Sequence, residues 1–107
     1  MTVKQQQVHR ERVRRWNLAH PKLGNLRKAL KKLGLTEAQH QEMYRQQRGC
    51  CAICCEPEGK RRMAIDHDHE TGQVRGLLCA NCNRVLGYAK DSVLRLRAAI
   101  GYLQRIT

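Results

Sequence analysis

The chain has no phenylalanine and, in 107 residues, only one tryptophan, three tyrosines and two prolines. With so few large aromatic side chains its apolar content is mostly Leu, Val, Ile and Ala, and a chain this short cannot stabilise itself on that burial alone. It needs a staple. No apolar run approaches the roughly 20 residues that span a bilayer, and no charged-then-apolar segment opens the chain. The expectation is a soluble, cytoplasmic protein with no membrane partner. Acidic residues are also scarce, nine against 21 Lys and Arg, for a net charge of +12. Such an excess points to a polyanion, with nucleic acid as the first candidate. It is unevenly spread: residues 1–48 hold twelve basic and three acidic side chains, residues 49–107 nine and six.

The basic half reads as helical. Residues 3–19 are polar and Arg-rich, suiting a loosely docked helix or an arm ordered by DNA. After His20-Pro21, Leu23, Leu26, Leu30 and Leu33 recur at helical spacing, while Arg27, Lys28, Lys31 and Lys32 line another face and are candidate DNA contacts. Gly34 is a helix stop, and Thr36 with Gln39 has the form of a capping box opening a helix to about Arg48. Residues 1–48 are thus expected to form a basic, mainly helical DNA-contacting region, and 49–107 a separate module. His9, His20 and His40 lack ligand-like neighbours and read as surface residues.

From Gly49 the character changes. Cys51-Ala-Ile-Cys54 and Cys79-Ala-Asn-Cys82 are two C-x-x-C pairs, a spacing that presents two thiolates to one tetrahedral ion. Together they predict a closed structural Zn²⁺ site, the missing staple. Cys50 and Cys55 lie just outside the first pair; symmetry favours Cys51 and Cys54, although spacing alone leaves either neighbour open as a ligand. Between the pairs, Met63–His69 and Gln73–Leu78 read as a β-hairpin with Thr71-Gly72 in its turn. Asn83–Lys90 reads as a short helix. Asp91 reads as the cap of a last helix whose Val93, Leu96, Ile100 and Leu103 form an apolar stripe expected to fold back on the rest. Strands followed by a helix, flanked by helices, make the fold class α+β.

The hairpin carries Asp66-His67-Asp68-His69, in a chain with five His in all. Asp is a hard oxygen ligand suited to Mg²⁺, and His, with an ordinary pKa of about 6.5, can take a proton from water. Asn83, directly after Cys82, brings a neutral amide oxygen that is also a legitimate Mg²⁺ ligand. Asp68 either faces solvent or orients a histidine. Arg75 and Arg84 flank the site as phosphate clamps or structural ion pairs.

Asp66, His67 and Asn83, with their enclosing knuckles, resemble the HNH superfamily (ββα-metal, His-Me finger). More narrowly, C-A-I-C followed by I-D-H-D-H-E-T-G-Q-V-R-G-L-L-C-A-N-C-N resembles the recombination endonuclease VII family of phages and bacteria, a likeness covering about residues 36–103. It implies a zinc-stabilised ββα-metal nuclease module in a bacterial or phage-infected cell. Asp66 and Asn83 would hold one divalent ion, Mg²⁺ or Mn²⁺. His67 would be the general base, and His69 a phosphate-contacting or orienting residue. Because neighbours on a regular strand face opposite ways, Asp66 and His67 can serve one site only at an irregular strand end. The expected function is a metal-dependent DNA endonuclease, on branched or nicked DNA. Its rivals are a non-catalytic zinc-bearing DNA-binding protein and a zinc-dependent interaction protein. Only 24 residues follow Asn83, which leaves junction resolution and the choice between monomer and homodimer open.

Overall fold

The computed structural model describes residues 2–105. Three helices, α1 (Val3–Ala19), α2 (Leu23–Leu33) and α3 (Glu37–Gln46), precede an antiparallel hairpin, β1 (Ala64–His67) and β2 (Val74–Leu78). Two helices, α4 (Ala80–Tyr88) and α5 (Val93–Gln104), follow. This is the α+β order expected. None of the described helices is long and apolar enough to cross a membrane.

Local signals explain the helix ends. Thr2 and Gln5 form a capping box at α1, and Thr36 and Gln39 form another at α3, each pair satisfying two otherwise orphaned N–H groups. Gly34 ends α2 at φ 68°, a left-handed conformation that glycine adopts without a Cβ penalty. Its N–H reaches back to the carbonyls of Leu30 and Lys31.

Helix α3 is the hub: α1 and α2 pack on it, and β2 packs against it too. The side of α2 predicted to be apolar does turn inward, with Leu26 and Leu30 buried around Trp16 of α1, and Leu23 and Leu35 beside them. A second core gathers Cys51, Met63, Leu77 and Leu78, joined by Met43 and Leu86. Tyr44 and Ile65 pack against both cores, so the basic helices and the cysteine-bearing half share side chains.

Two histidines expected at the surface are instead buried, His20 at 3% exposure and His40 at 1%. His20 sits one helical turn after Trp16 and approaches its ring, and Trp16 Nε1–H donates to His40 Nδ1 at 2.9 Å. His20 in turn places Nε2 3.2 Å from the buried carboxylate of Glu58, whose other oxygen accepts the Met63 N–H at 2.9 Å. Their partners came from distant segments, which inspection of sequence neighbours could not supply. Docking through Trp16 also makes α1 an integral helix rather than a loose arm. His9 stays exposed, as expected.

The last helix departs from expectation in two ways. Its cap is Ser92, whose side chain accepts the Arg95 N–H, not Asp91. Lys90 and Asp91 both adopt left-handed φ, 55° and 54°, and this turn carries α5 away from the body. Its expected stripe therefore stays out of the core: Val93, Ile100 and Leu103 are exposed and Leu96 only half-buried.

Candidate active site and metal centre

The first knuckle forms because Cys51 and Cys55 bracket a tight turn, Cys55 N–H donating to Cys51 O at 3.0 Å, with Cys51 N–H tied to Glu56 O at 2.8 Å. Cys79 caps α4, its sulfur accepting the Cys82 N–H at 3.4 Å. That capping explains why α4 starts at Ala80 rather than at Asn83. The hairpin returns the chain so that the sulfurs of Cys51, Cys54, Cys79 and Cys82 all lie within 4.8 Å of one another. Cys50 and Cys55 stand outside the cluster.

These residues fit a metal ion on two grounds. Cys54 and Cys79 sulfurs are 3.8 Å apart, the edge of a tetrahedron whose metal–sulfur bonds are about 2.3 Å. Their acidities also fit. Burial opposes ionisation of Cys51, but backbone N–H groups of Cys54, Cys79 and Ile53 overcome it and bring the thiol down to about 6. Burial and the other three sulfurs push Cys82 up to about 12. Only a cation among them would let all four ionise together.

On the hairpin, Ala64 pairs with Leu78, Ile65 with Leu77 and Asp66 with Gly76, but His67 pairs with Val74, leaving Arg75 as an extra residue in β2. The pairing thus shifts between Asp66 and His67, where an irregularity was expected, and bulges of this kind add local twist. Asp66, 9% exposed, receives Arg75 through two bonds, Nε to Oδ2 at 2.7 Å and Nη2 to Oδ1 at 3.1 Å. His67 is half-buried, and its ring stacks on His69 with centroids 4.9 Å apart.

One contributor was missed in the sequence. Asp91 brings Oδ2 to 3.3 Å from His69 Nδ1 and 3.5 Å from Arg75 Nη2, linking the loop after α4 to both. Read as a helix cap, it gave no signal of this contact. Asp68 does not orient a histidine: its Oδ1 accepts the Glu70 and Thr71 N–H groups at 2.8 and 3.1 Å, shaping the turn. Asn83 lies exposed in the first turn of α4, which packs on both strands, and Arg84 beside it is exposed as well. Arg27 is engaged with Glu37, whereas Lys28, Lys31 and Lys32 are exposed on α2.

Behind β2, Gln47 acts as a short piece of strand. Its Nε2 donates to the carbonyls of Cys50 and Leu77 at 2.8 and 2.9 Å, and its Oε1 accepts the Leu77 N–H at 2.9 Å. Gly76 permits this approach, since a Cβ there would meet Gln47 Oε1 at 3.2 Å. The end of α3 is thereby fastened to the strand that carries Arg75.

Over 74 residues the chain is 47% identical to the gene 59 protein of Mycobacterium phage D29, a stretch covering 67% of this chain and 45% of that relative. It is 46% identical over 72 residues to the gene 59 protein of Mycobacterium phage L5, covering 65% of this chain and 44% of that one. The chain thus spans less than half the length of these relatives. No solved structure matches. The family model for recombination endonuclease VII matches residues 26–105, from within α2 to the end of α5, and on that match the chain belongs to the recombination endonuclease VII family.

Proposed function

We propose that this protein is an HNH-type, metal-dependent DNA endonuclease, working in a bacterial or phage-infected cell, with branched or nicked DNA among its substrates. The observation that carries the reading is the run of contacts from Asp66 to Arg75, Arg75 to Asp91 and Asp91 to His69, with His67 stacked on His69, on a hairpin flanked by the four clustered cysteines. Residues 1–48 grip DNA and residues 49–107 cut it.

In this reading Cys51, Cys54, Cys79 and Cys82 hold a structural Zn²⁺, which leaves no open position for chemistry. Asp66 and Asn83, both oxygen donors, would hold Mg²⁺ or Mn²⁺, which supplies positive charge against the scissile phosphate and the departing 3′-oxygen. His67 takes a proton from water as the water oxygen bonds to phosphorus and the P–O3′ bond breaks. His69 keeps the His67 ring in place by stacking, and Asp91 steadies His69. Arg75 holds Asp66 in the free protein and turns to a substrate phosphate when DNA arrives, a geometry guanidinium groups favour. Arg84 and the α2 residues Arg27, Lys28, Lys31 and Lys32 add phosphate contacts.

A second reading, a non-catalytic zinc-bearing DNA-binding protein, draws on the same ion pair, since Arg75 satisfies Asp66 without any metal. The test is cleavage by purified protein in Mg²⁺ and Mn²⁺ of linear duplex, supercoiled plasmid, single strands and a four-way junction, beside His67→Ala. Preferential cutting of the junction by wild type alone supports a branch-directed enzyme. DNA binding without cutting on any substrate supports the binder and defeats the enzyme.

A further inference from the structure

A groove of about 490 Å³ runs between α1 and α3, away from the hairpin site. Arg12, Arg15 and Trp16 line it from α1, Glu42 and Arg45 from α3, and Arg48 lies at the end that leads into the first knuckle. On each helix these positions are about one turn apart, so each set shares a face. Arg45 is answered by Glu42, Nε to Oε2 at 2.9 Å. Arg12, Arg15 and Arg48 form no ion pair among the described residues.

With Glu42 the one carboxylate in the lining against Arg12, Arg15, Arg45 and Arg48, the concavity carries net positive charge, and such a field favours a polyanion. The composition of the floor narrows the ligand. Trp16 is 1% exposed, its ring committed to the core, so it offers no open face on which a base can stack. Tyr44 is half-buried and His9 is the one exposed ring in the lining, so guanidinium groups dominate the groove, and these suit phosphates. Helix α1 also lies outside the residues matched to the family, 26–105, so one wall of the groove comes from this chain's own N-terminal segment.

We propose that the α1–α3 groove is a second DNA-binding site, a track for the sugar–phosphate backbone distinct from the Asp66–His67 site. Resting on the nuclease reading above for its partner, it assigns the task of holding substrate to Arg12, Arg15 and Arg48. The fastening of α3 to β2 through Gln47 keeps this track in fixed relation to the cleavage site.

The test is fluorescence anisotropy of a labelled four-way junction and a labelled duplex over a salt series, without added Mg²⁺, using the full chain. The variants are Arg12→Gln/Arg15→Gln/Arg48→Gln and, separately, Glu42→Gln, with thermal melts to check folding. The triple variant is expected to bind at least about tenfold more weakly near 0.1 M salt, with a log–log salt slope shallower by about 2 to 3. Its cleavage deficit should close as DNA concentration rises. Glu42→Gln removes the one acidic group of the groove and frees Arg45, so it should tighten binding about two- to fivefold, which a merely structural role would not produce. Unchanged affinity and slope in the triple variant overturn the proposal, as does competition by poly-glutamate as strong as that by DNA of equal charge. If the binding changes appear but no protein cuts, the groove stands and the nuclease reading falls; if wild type cuts while the triple variant binds normally, the reverse holds.

Discussion

The two halves of this molecule solve the small-protein problem differently. The N-terminal helices bury Trp16, Leu26 and Leu30 and are held by ordinary apolar packing, with basic residues left outward. Beyond Gly49 the core is Cys51, Met63, Leu77 and Leu78, with Met43, Tyr44, Ile65, Cys79, Cys82 and Leu86 packed against it, so three of the four clustered cysteines belong to it. A metal held by the four sulfurs would add to that cohesion. With such a staple, strand positions that would otherwise favour apolar residues would be freer to hold Asp66 and His67. The halves are nonetheless joined, through Tyr44, Ile65 and the approach of His20 to Glu58.

Metal removal attacks this contrast most strongly. A structural zinc contributes on the order of 10–16 kcal/mol, as much as a domain's whole stability, so stripping it with a strong chelator, or making Cys51→Ser, should unfold the hairpin half and abolish cleavage. Circular dichroism would follow the loss, and the sole tryptophan, Trp16, reports on the other half. If the shared packing couples the halves, its emission shifts in the same transition; an unchanged emission would make them independent units.

His67→Ala addresses chemistry without touching either core. It should slow cleavage by roughly 10²–10⁴-fold while leaving DNA affinity and the melt near wild type, measured by single-turnover assay and anisotropy. Retention of full activity would remove His67 from its role as base.

Acid tests the N-terminal core. Burial, with the charges of His20 and Arg62, lowers His40 from 6.5 to about 4, and its Nδ1 must stay bare to accept the Trp16 N–H. The unfolded chain therefore binds a proton that the folded one refuses, and stability should fall as pH drops from about 6.5 toward 4, by on the order of 3 kcal/mol in all. Glu58 adds to this at lower pH: burial opposes its ionisation, but His20 and the Met63 N–H outweigh it and hold its carboxyl below the ordinary value. Its contribution is present above an unfolded pKa of about 4.5 and lost as pH falls through the folded one. Urea melts of wild type and His40→Gln across this range would show the slope flattening in the variant; parallel profiles would contradict the assignment.

The smallest effect is expected on the outer face. Arg27→Ala breaks an exposed pair with Glu37 and should cost no more than about 1 kcal/mol in stability, read as a small shift in the thermal midpoint. A larger loss would mean that the basic face helps to hold the helices together.

Much of this was legible in the sequence because the signals were local. The Thr36–Gln39 box, the Gly34 stop, the leucine spacing of α2 and the paired C-x-x-C motifs each act within a few residues, and each stands where expected. The hairpin was placed to within two residues, and the irregularity expected at Asp66–His67 is present as a shift in pairing. Long-range partners were not legible. Nothing adjacent to His20 or His40 announces Glu58 or Trp16, and the contact of Asp91 with His69 depends on two successive left-handed residues that no glycine marked. The path of α5 was missed for that reason, since an apolar stripe says what a helix can bury but not where the preceding turn sends it.

A two-stranded sheet ordinarily presents bare backbone along both flanks, and such flanks recruit strands from other molecules. Here the side-chain amide of Gln47 impersonates a third strand at Leu77, taking its N–H and carbonyl together, and Ala52 N–H adds a second bond to that carbonyl at 3.1 Å. The flank is sealed at Leu77 by a residue that cannot itself be extended into a ladder. Polymerisation by strand addition is blocked there, and Gln47→Ala should reopen the edge, so that the variant self-associates with concentration more than wild type does.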